Sequence, residues 1–136
     1  MTPEEVVAAF VEAVNGRELE QMVEFMTADH EFVDSLGKRI PGRQAMRDAW
    51  SGFFEVVPDY RITVKETYAC GESVVIVGSA AGTYCRGGAP HPQNCWEVPA
   101  AWRILVAGDR VSQWQAFVDN EPLRRIMLHC GARRED

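Results

Sequence analysis

The sequence predicts an α+β fold in which helices cover one face of a curved sheet. Three observations predict it. Apolar residues recur at helical spacing through most of the first 57 positions, and from Tyr60 to Asp119 they alternate or run together as strands do. One short strand-like stretch, Asp29-His30-Glu31-Phe32-Val33-Asp34-Ser35-Leu36-Gly37, interrupts the helical part. A chain of 136 residues suffices for one core, so residues 1–136 read as a single domain with its core over about 4–128 and a tail at 129–136.

Helix one starts at Thr2-Pro3-Glu4-Glu5, a capping box with proline at the first helical position. Val7, Phe10, Val11 and Val14 form its apolar stripe, and Asn15-Gly16 ends it. Helix two is expected over about residues 18–27, with Leu19, Met22, Val23 and Met26 inward, packed as a hairpin on helix one. After the Asp34 stretch, Gly37-Lys38-Arg39 reads as a turn and Ile40-Pro41-Gly42 as the approach to helix three. That helix presents Met46, Ala49, Trp50, Phe53, Phe54 and Val57 on one face, and Pro58 stops it.

Strands follow. Tyr60, Ile62 and Val64 alternate with polar residues toward Cys70. The apolar and small-residue run over 73–84 suits a strand buried on both faces. Residues 85–94 read as a long loop. Residues 96–107 and 110–119 then form a hairpin about Gly108-Asp109, and Glu121-Pro122 opens a last helix to about Leu128.

A net charge of −6 argues against nucleic acid or an anionic membrane as partner. Arg124, Arg125, Arg133 and Arg134 are mixed with acids and read as a solvated face and tail. The acidic start has no apolar run of signal length, and no stretch reaches membrane-span length. The four cysteines lack CxxC spacing and read as reduced thiols of a cytoplasmic protein. Cys85, His91 and Cys95 could gather across a hairpin, but a metal site there wants a fourth ligand and closer spacing. No cofactor motif or metal spacing is present, so cofactor-free chemistry, or none, is expected.

With these elements in order, the chain resembles the nuclear-transport-factor-2-like superfamily, especially its SnoaL-like and ketosteroid-isomerase-like branches. The residues that carry the resemblance are Phe10-Val11-Glu12-Ala13-Val14-Asn15, Ala28-Asp29-His30 to Asp34, Pro41-Gly42-Arg43 and Val57-Pro58-Asp59-Tyr60. Further along they are Gly82-Thr83-Tyr84, Trp102-Arg103, and Gly108-Asp109-Arg110-Val111 through Asp119. The resemblance implies a cone of helices on a strongly curved, mostly antiparallel sheet, closed over an apolar cavity, with a homodimer packed through the sheet.

Asp34 is similar in position to the general base of the ketosteroid isomerases. A carboxylate in apolar company can take a proton from carbon beside a carbonyl and return it elsewhere. The donors those isomerases use for the enolate oxygen correspond here to Phe10 and Ala100, and neither side chain can donate a hydrogen bond. The cyclase and epoxide-hydrolase branches place an aspartate at a position that corresponds to Ala116. Asp119 lies three residues on and reads as a cap of the last helix.

Alternation puts Phe32, His30 and Asp34 on one strand face, and Trp96, Val98, Ala100 and Trp102 on the cavity face of theirs. Glu97 and Arg103 fall on the opposite, outer face, where a charge pair is expected. The expected ligand contacts are Phe10, His30, Phe32, Trp50, Phe54, Tyr60, Ala100, Trp102, Trp114, Ala116 and Val118, with Asp34 catalytic and no metal. The aromatics suit a small hydrophobic carbonyl compound, although aromatic residues at such spacing also serve as ordinary core. Two functions stay open: an isomerase, cyclase or lyase with Asp34 as base, and a non-catalytic binding or accessory protein in which Asp34 merely caps a turn. An epoxide hydrolase ranks below both.

Overall fold

Four α-helices and six strands make up the computed structural model, which describes residues 1–85 and 91–135. Helix α1 (Pro3–Asn15) begins on the expected capping box. Thr2 Oγ1 accepts the Glu5 amide at 3.2 Å while the Glu5 carboxylate accepts the Thr2 amide at 2.9 Å. Its stripe of Val7, Phe10, Val11 and Val14 is buried.

Helix α2 (Leu19–Glu24) ends earlier than expected, because Met26 already belongs to strand β1 (Met26–Val33). Met26 faces inward in either case, so local spacing cannot separate the two states. The Val111 amide, far on in sequence, donates to the Phe25 carbonyl and starts the strand there. Residues 39–41 are likewise a strand, β2 (Arg39–Pro41), antiparallel to β1. Helix α3 (Arg43–Val56) follows Gly42, whose φ of 104° suits glycine alone.

The remaining strands are β3 (Arg61–Cys70), β4 (Ser73–Thr83), β5 (Cys95–Ala107) and β6 (Arg110–Val118), and the last helix is α4 (Glu121–Glu135), longer than expected. They form one sheet in the order β2-β1-β6-β5-β4-β3, antiparallel except where β1 runs parallel to β6. Helix α1 lies over β3–β6 and α3 over β1 and β2, so the core sits between helices and one sheet face. Burial of β4 on both faces holds only in part: Ser79 and Thr83 of the outer face are buried, whereas Val75, Val77 and Ala81 there are half-buried. The loop expected over 85–94 closes with a 3-10 turn at Pro92–Asn94, and residues 86–90 lie outside the described residues.

The expected outer-face pair does not form. Glu97 and Arg103 are six positions apart on an extended strand, about 20 Å. Arg103 instead donates to Gln113 at 3.3 Å, and Glu97 stands opposite Ala81. Arg124 and Arg125 both pair with Glu121 at the exposed start of α4, as a solvated face would; the side chains of Arg133 and Arg134 lie outside the described residues. No helix among the described residues is long and apolar enough to cross a membrane.

Candidate functional site

Small residues on the inner sheet face leave the space for a site. Register aligns Val64, Gly78, Ala100 and Val118 across β3–β6, and beside them Ile76, Trp102 and Ala116. With Ala80, Ala100 and Ala116 contributing only methyl groups, the indoles of Trp96, Trp102 and Trp114 stand as walls around a gap. The result is a cavity of about 310 Å³, at the small end of the range for ligand pockets.

Phe32, Asp34 and Ser35 line it from β1 and its following turn, with Ile40 from β2. Helix α3 supplies Met46, Ala49, Trp50 and Phe53, and Tyr60 enters just before β3. Asn120 and Leu123 close it at the start of α4. Among the described residues no lysine, arginine or histidine lines the wall, and Asp34 is the single charged one.

Asp34 sits one residue past β1, in a turn that its own side chain ties. Its Oδ1 accepts the amides of Leu36 at 2.9 Å and Lys38 at 2.8 Å. The backbone closes the same turn, Asp34 donating to the Lys38 carbonyl at 2.9 Å and Gly37 (φ 83°) donating to the Asp34 carbonyl at 3.0 Å. Capping and cavity contact thus coexist: Oδ1 belongs to the turn, and Oδ2 makes no hydrogen bond among the described residues. Next to it, Ser35 Oγ accepts the Val118 amide at 2.9 Å and donates to the Ala116 carbonyl at 3.3 Å, fastening the turn to the end of β6.

Of the expected contacts, Phe32, Trp50, Tyr60, Trp102, Trp114, Ala116 and Val118 line the cavity together with Asp34. Phe10, His30, Phe54 and Ala100 do not. Phe10 is fully buried behind the wall, its ring 5.0 Å from that of Trp114. Phe54 packs against Trp50 at 5.5 Å from outside, and Ala100 lies beneath, between Gly78 and Val118. Trp96 lines the site as alternation predicts, whereas Val98 of the same face is buried away from it.

His30 is buried as parity expects but is bonded to the sheet backbone rather than set on the cavity wall. The β1–β6 register jumps between Met26 and Glu31, and His30 falls inside that irregularity. Its Nδ1 lies 2.8 Å from the Val111 carbonyl, which can only accept, so Nδ1 carries the proton and Nε2 is left buried without a partner. Burial holds its pKa below the ordinary histidine value, outweighing the Val111 hydrogen bond and the nearby Asp29 and Glu31. The unfolded histidine, near 6.5, then binds protons that the folded one refuses. Stability should therefore fall as pH drops below about 6.5, and the urea midpoint should decline between about pH 7 and about pH 5.5. His30→Gln, whose amide can still donate to Val111, should flatten that decline; an unchanged slope would locate the titration elsewhere.

Sequence reasoning missed Ser35, Asn120 and Leu123 as wall residues. The α3 stripe that named Trp50 already held Met46, Ala49 and Phe53, but Asn120 and Leu123 reach the site only through the path of the chain after β6. Asp119 Oδ1 accepts the Glu121 amide at 3.0 Å, the capping role expected of it. Near the open end of β4, Thr83 Oγ1 donates to Asp59 at 2.7 Å and lies 3.2 Å from Cys95 Sγ, and the Cys85 thiol donates to the Thr83 carbonyl at 3.5 Å. All four cysteines are free, and among the described residues no three metal-ligating side chains gather.

Residues 7–114 match the family model described as the SnoaL-like domain. No curated protein sequence matches the chain. Among solved structures, a Shewanella putrefaciens protein assigned as a SnoaL-like polyketide cyclase is 16% identical with a TM-score of 0.79, covering 95% of this chain and 98% of that one. Streptomyces antibioticus IdmH, assigned as a polyketide cyclase, is 20% identical at 0.77, covering 93% and 99%. A Catenulispora acidiphila protein of ketosteroid isomerase-like fold, solved with trimethylamine, is 23% identical at 0.70, covering 82% and 83%. At such identities the likeness carries the fold alone.

Proposed function

The chain belongs to the SnoaL-like domain family, and from that membership we propose that it binds a small hydrophobic carbonyl compound and moves a proton on it with Asp34. The reaction class is isomerase, cyclase or lyase, run without a cofactor. The observation that carries this reading is a carboxylate on the wall of a mostly apolar, tryptophan-lined cavity. A ring compound held among the indoles would bring a carbon beside its carbonyl to Asp34. With Oδ1 occupied by the Leu36 and Lys38 amides, Oδ2 is the oxygen that takes the proton and returns it at a second carbon. The apolar wall excludes water that would compete for it.

A second reading, a non-catalytic binding or accessory protein, is favoured by Phe10, Ala100 and Ala116, apolar at positions where the resembled enzymes carry acids or donors. Asp34→Asn separates the two. The enzyme loses turnover with ligand affinity retained; a variant that keeps full turnover would remove Asp34 from the chemistry. An epoxide hydrolase, which needs a water-activating acid near Ala116, fits least.

We propose also that two copies pair through the outer sheet face. Register places Tyr68, Val75, Val77, Ala101 and Phe117 together there, and Tyr68 and Phe117 are more than half exposed. Light scattering on a sizing column should give the mass of two chains. The mass of one chain would contradict the pairing.

A further inference from the structure

Besides Asp34 the cavity wall carries the polar side chains of Ser35, Tyr60 and Asn120; Asn120 is exposed at the rim, and the buried one that the proton transfer leaves unused is Tyr60. Its ring is wedged in aromatic company, centroid 4.8 Å from Phe53 edge-on and 6.2 Å from Trp50. Among the described residues the hydroxyl has no hydrogen-bond partner. It is also not sealed off, because the described side-chain atoms both buried and unpartnered are Thr27 Oγ1 and His30 Nε2. The Tyr60 hydroxyl is therefore accessible, on a residue that lines the cavity. A donor kept in an apolar pocket without a protein acceptor leaves a hydrogen bond for whatever enters. The other hydroxyl on the wall, Ser35 Oγ, is already shared between Ala116 and Val118.

Resting on the reading of this cavity as a ligand site, we propose that Tyr60 is its recognition residue. It donates to a neutral oxygen acceptor, a ring ketone or lactone carbonyl, on a ligand of one or two fused rings. Three observations narrow the class. Among the described residues anions find no cation on the wall and meet the Asp34 carboxylate instead. The volume of about 310 Å³ suits a compact ring system. Tyr60, just before β3, and Asp34, just after β1, stand on the wall of the same cavity, so one ligand can offer its oxygen to Tyr60 and a carbon to Asp34. Desolvation also raises the pKa of Tyr60, which keeps the phenol a neutral donor at any working pH. An ammonium ligand held by Asp34 is the competing class. It is disfavoured because Oδ1 is committed to the Leu36 and Lys38 amides in a half-exposed turn.

The test uses matched probes that differ in charge and acceptor: 1-tetralone, tetralin and protonated 2-aminotetralin, titrated against the fluorescence of the wall tryptophans. The wild-type protein should prefer tetralone over tetralin by about fivefold or more, the effect of one hydrogen bond. Tyr60→Phe should abolish that preference while leaving tetralin affinity within about twofold. The carbonyl stretch of bound tetralone should move to lower frequency in the wild type and return in the variant, a readout that lost packing would not move. An undiminished preference in Tyr60→Phe would overturn the Tyr60 assignment, pointing to the Asn120 amide or an indole N–H, and leave the ligand site standing. Tighter binding of the amine in both proteins would assign the cavity to cations and overturn the proposal. Failure of all three probes to bind the folded protein would overturn the ligand site itself.

Discussion

Gly78→Ala is expected to destabilise the protein by about 3 kcal/mol, a large effect for a single methyl group. A Cβ at position 78 would stand 1.8 Å from the Thr63 carbonyl oxygen and 2.9 Å from its carbon, with the Lys65 amide nitrogen at 3.2 Å. All three are backbone atoms, so no side chain can swing aside. The reason lies in the register of β3 on β4, which shifts between Val64 and Glu66 and leaves Lys65 as an extra residue. The bulged strand leans over position 78, and only glycine admits it. Gly52→Ala is the control: this exposed glycine of α3 has nothing within 4 Å of its would-be Cβ. It should stabilise by about 0.5–1 kcal/mol through helix propensity. Urea midpoints should therefore move in opposite directions. A Gly78→Ala midpoint equal to that of wild type would mean that the bulge relaxes freely.

That bulge marks a boundary in what local pattern can convey. The cap at Thr2, the stop before Pro58, the hairpin about Gly108 and the cap at Asp119 each depend on residues within one or two turns, and each stands where the sequence places it. Features decided by distant pairing escape. Met26 is a strand residue because Val111 meets the chain at Phe25, and His30 misses the cavity because it bonds the Val111 carbonyl where the parallel β1–β6 ladder is irregular. The site divides along the same line. Phe32, Trp102, Trp114, Ala116 and Val118 follow from strand alternation, while Ser35, Asn120 and Leu123 depend on how the β1 turn and α4 close around the end of β6. Phe10 and Phe54 share the apolar spacing of wall residues, but burial alone does not tell a wall from what supports it.

Asp34→Asn is expected to cost the larger functional effect, a loss of at least about a hundredfold in proton transfer, the usual share of a general base. The substitution is nearly isosteric. The amide oxygen can still accept from Leu36 and Lys38, so the turn and the Ser35 fastening should survive. What disappears is the basic Oδ2. Affinity for a neutral ketone should therefore hold within about threefold while chemistry stops. A large loss of affinity instead would make Asp34 a binding group before anything else.

Hydrogen–deuterium exchange at the carbon beside the carbonyl of bound 1-tetralone, followed by proton NMR in deuterium oxide, tests proton transfer by Asp34 most directly. With enough protein to bind the ketone, the wild type should exchange that position at least about a hundredfold faster than buffer, and Asp34→Asn at the buffer rate. Exchange at the buffer rate in the wild type, with the ketone demonstrably bound, would contradict Asp34 as a base and leave a binding protein.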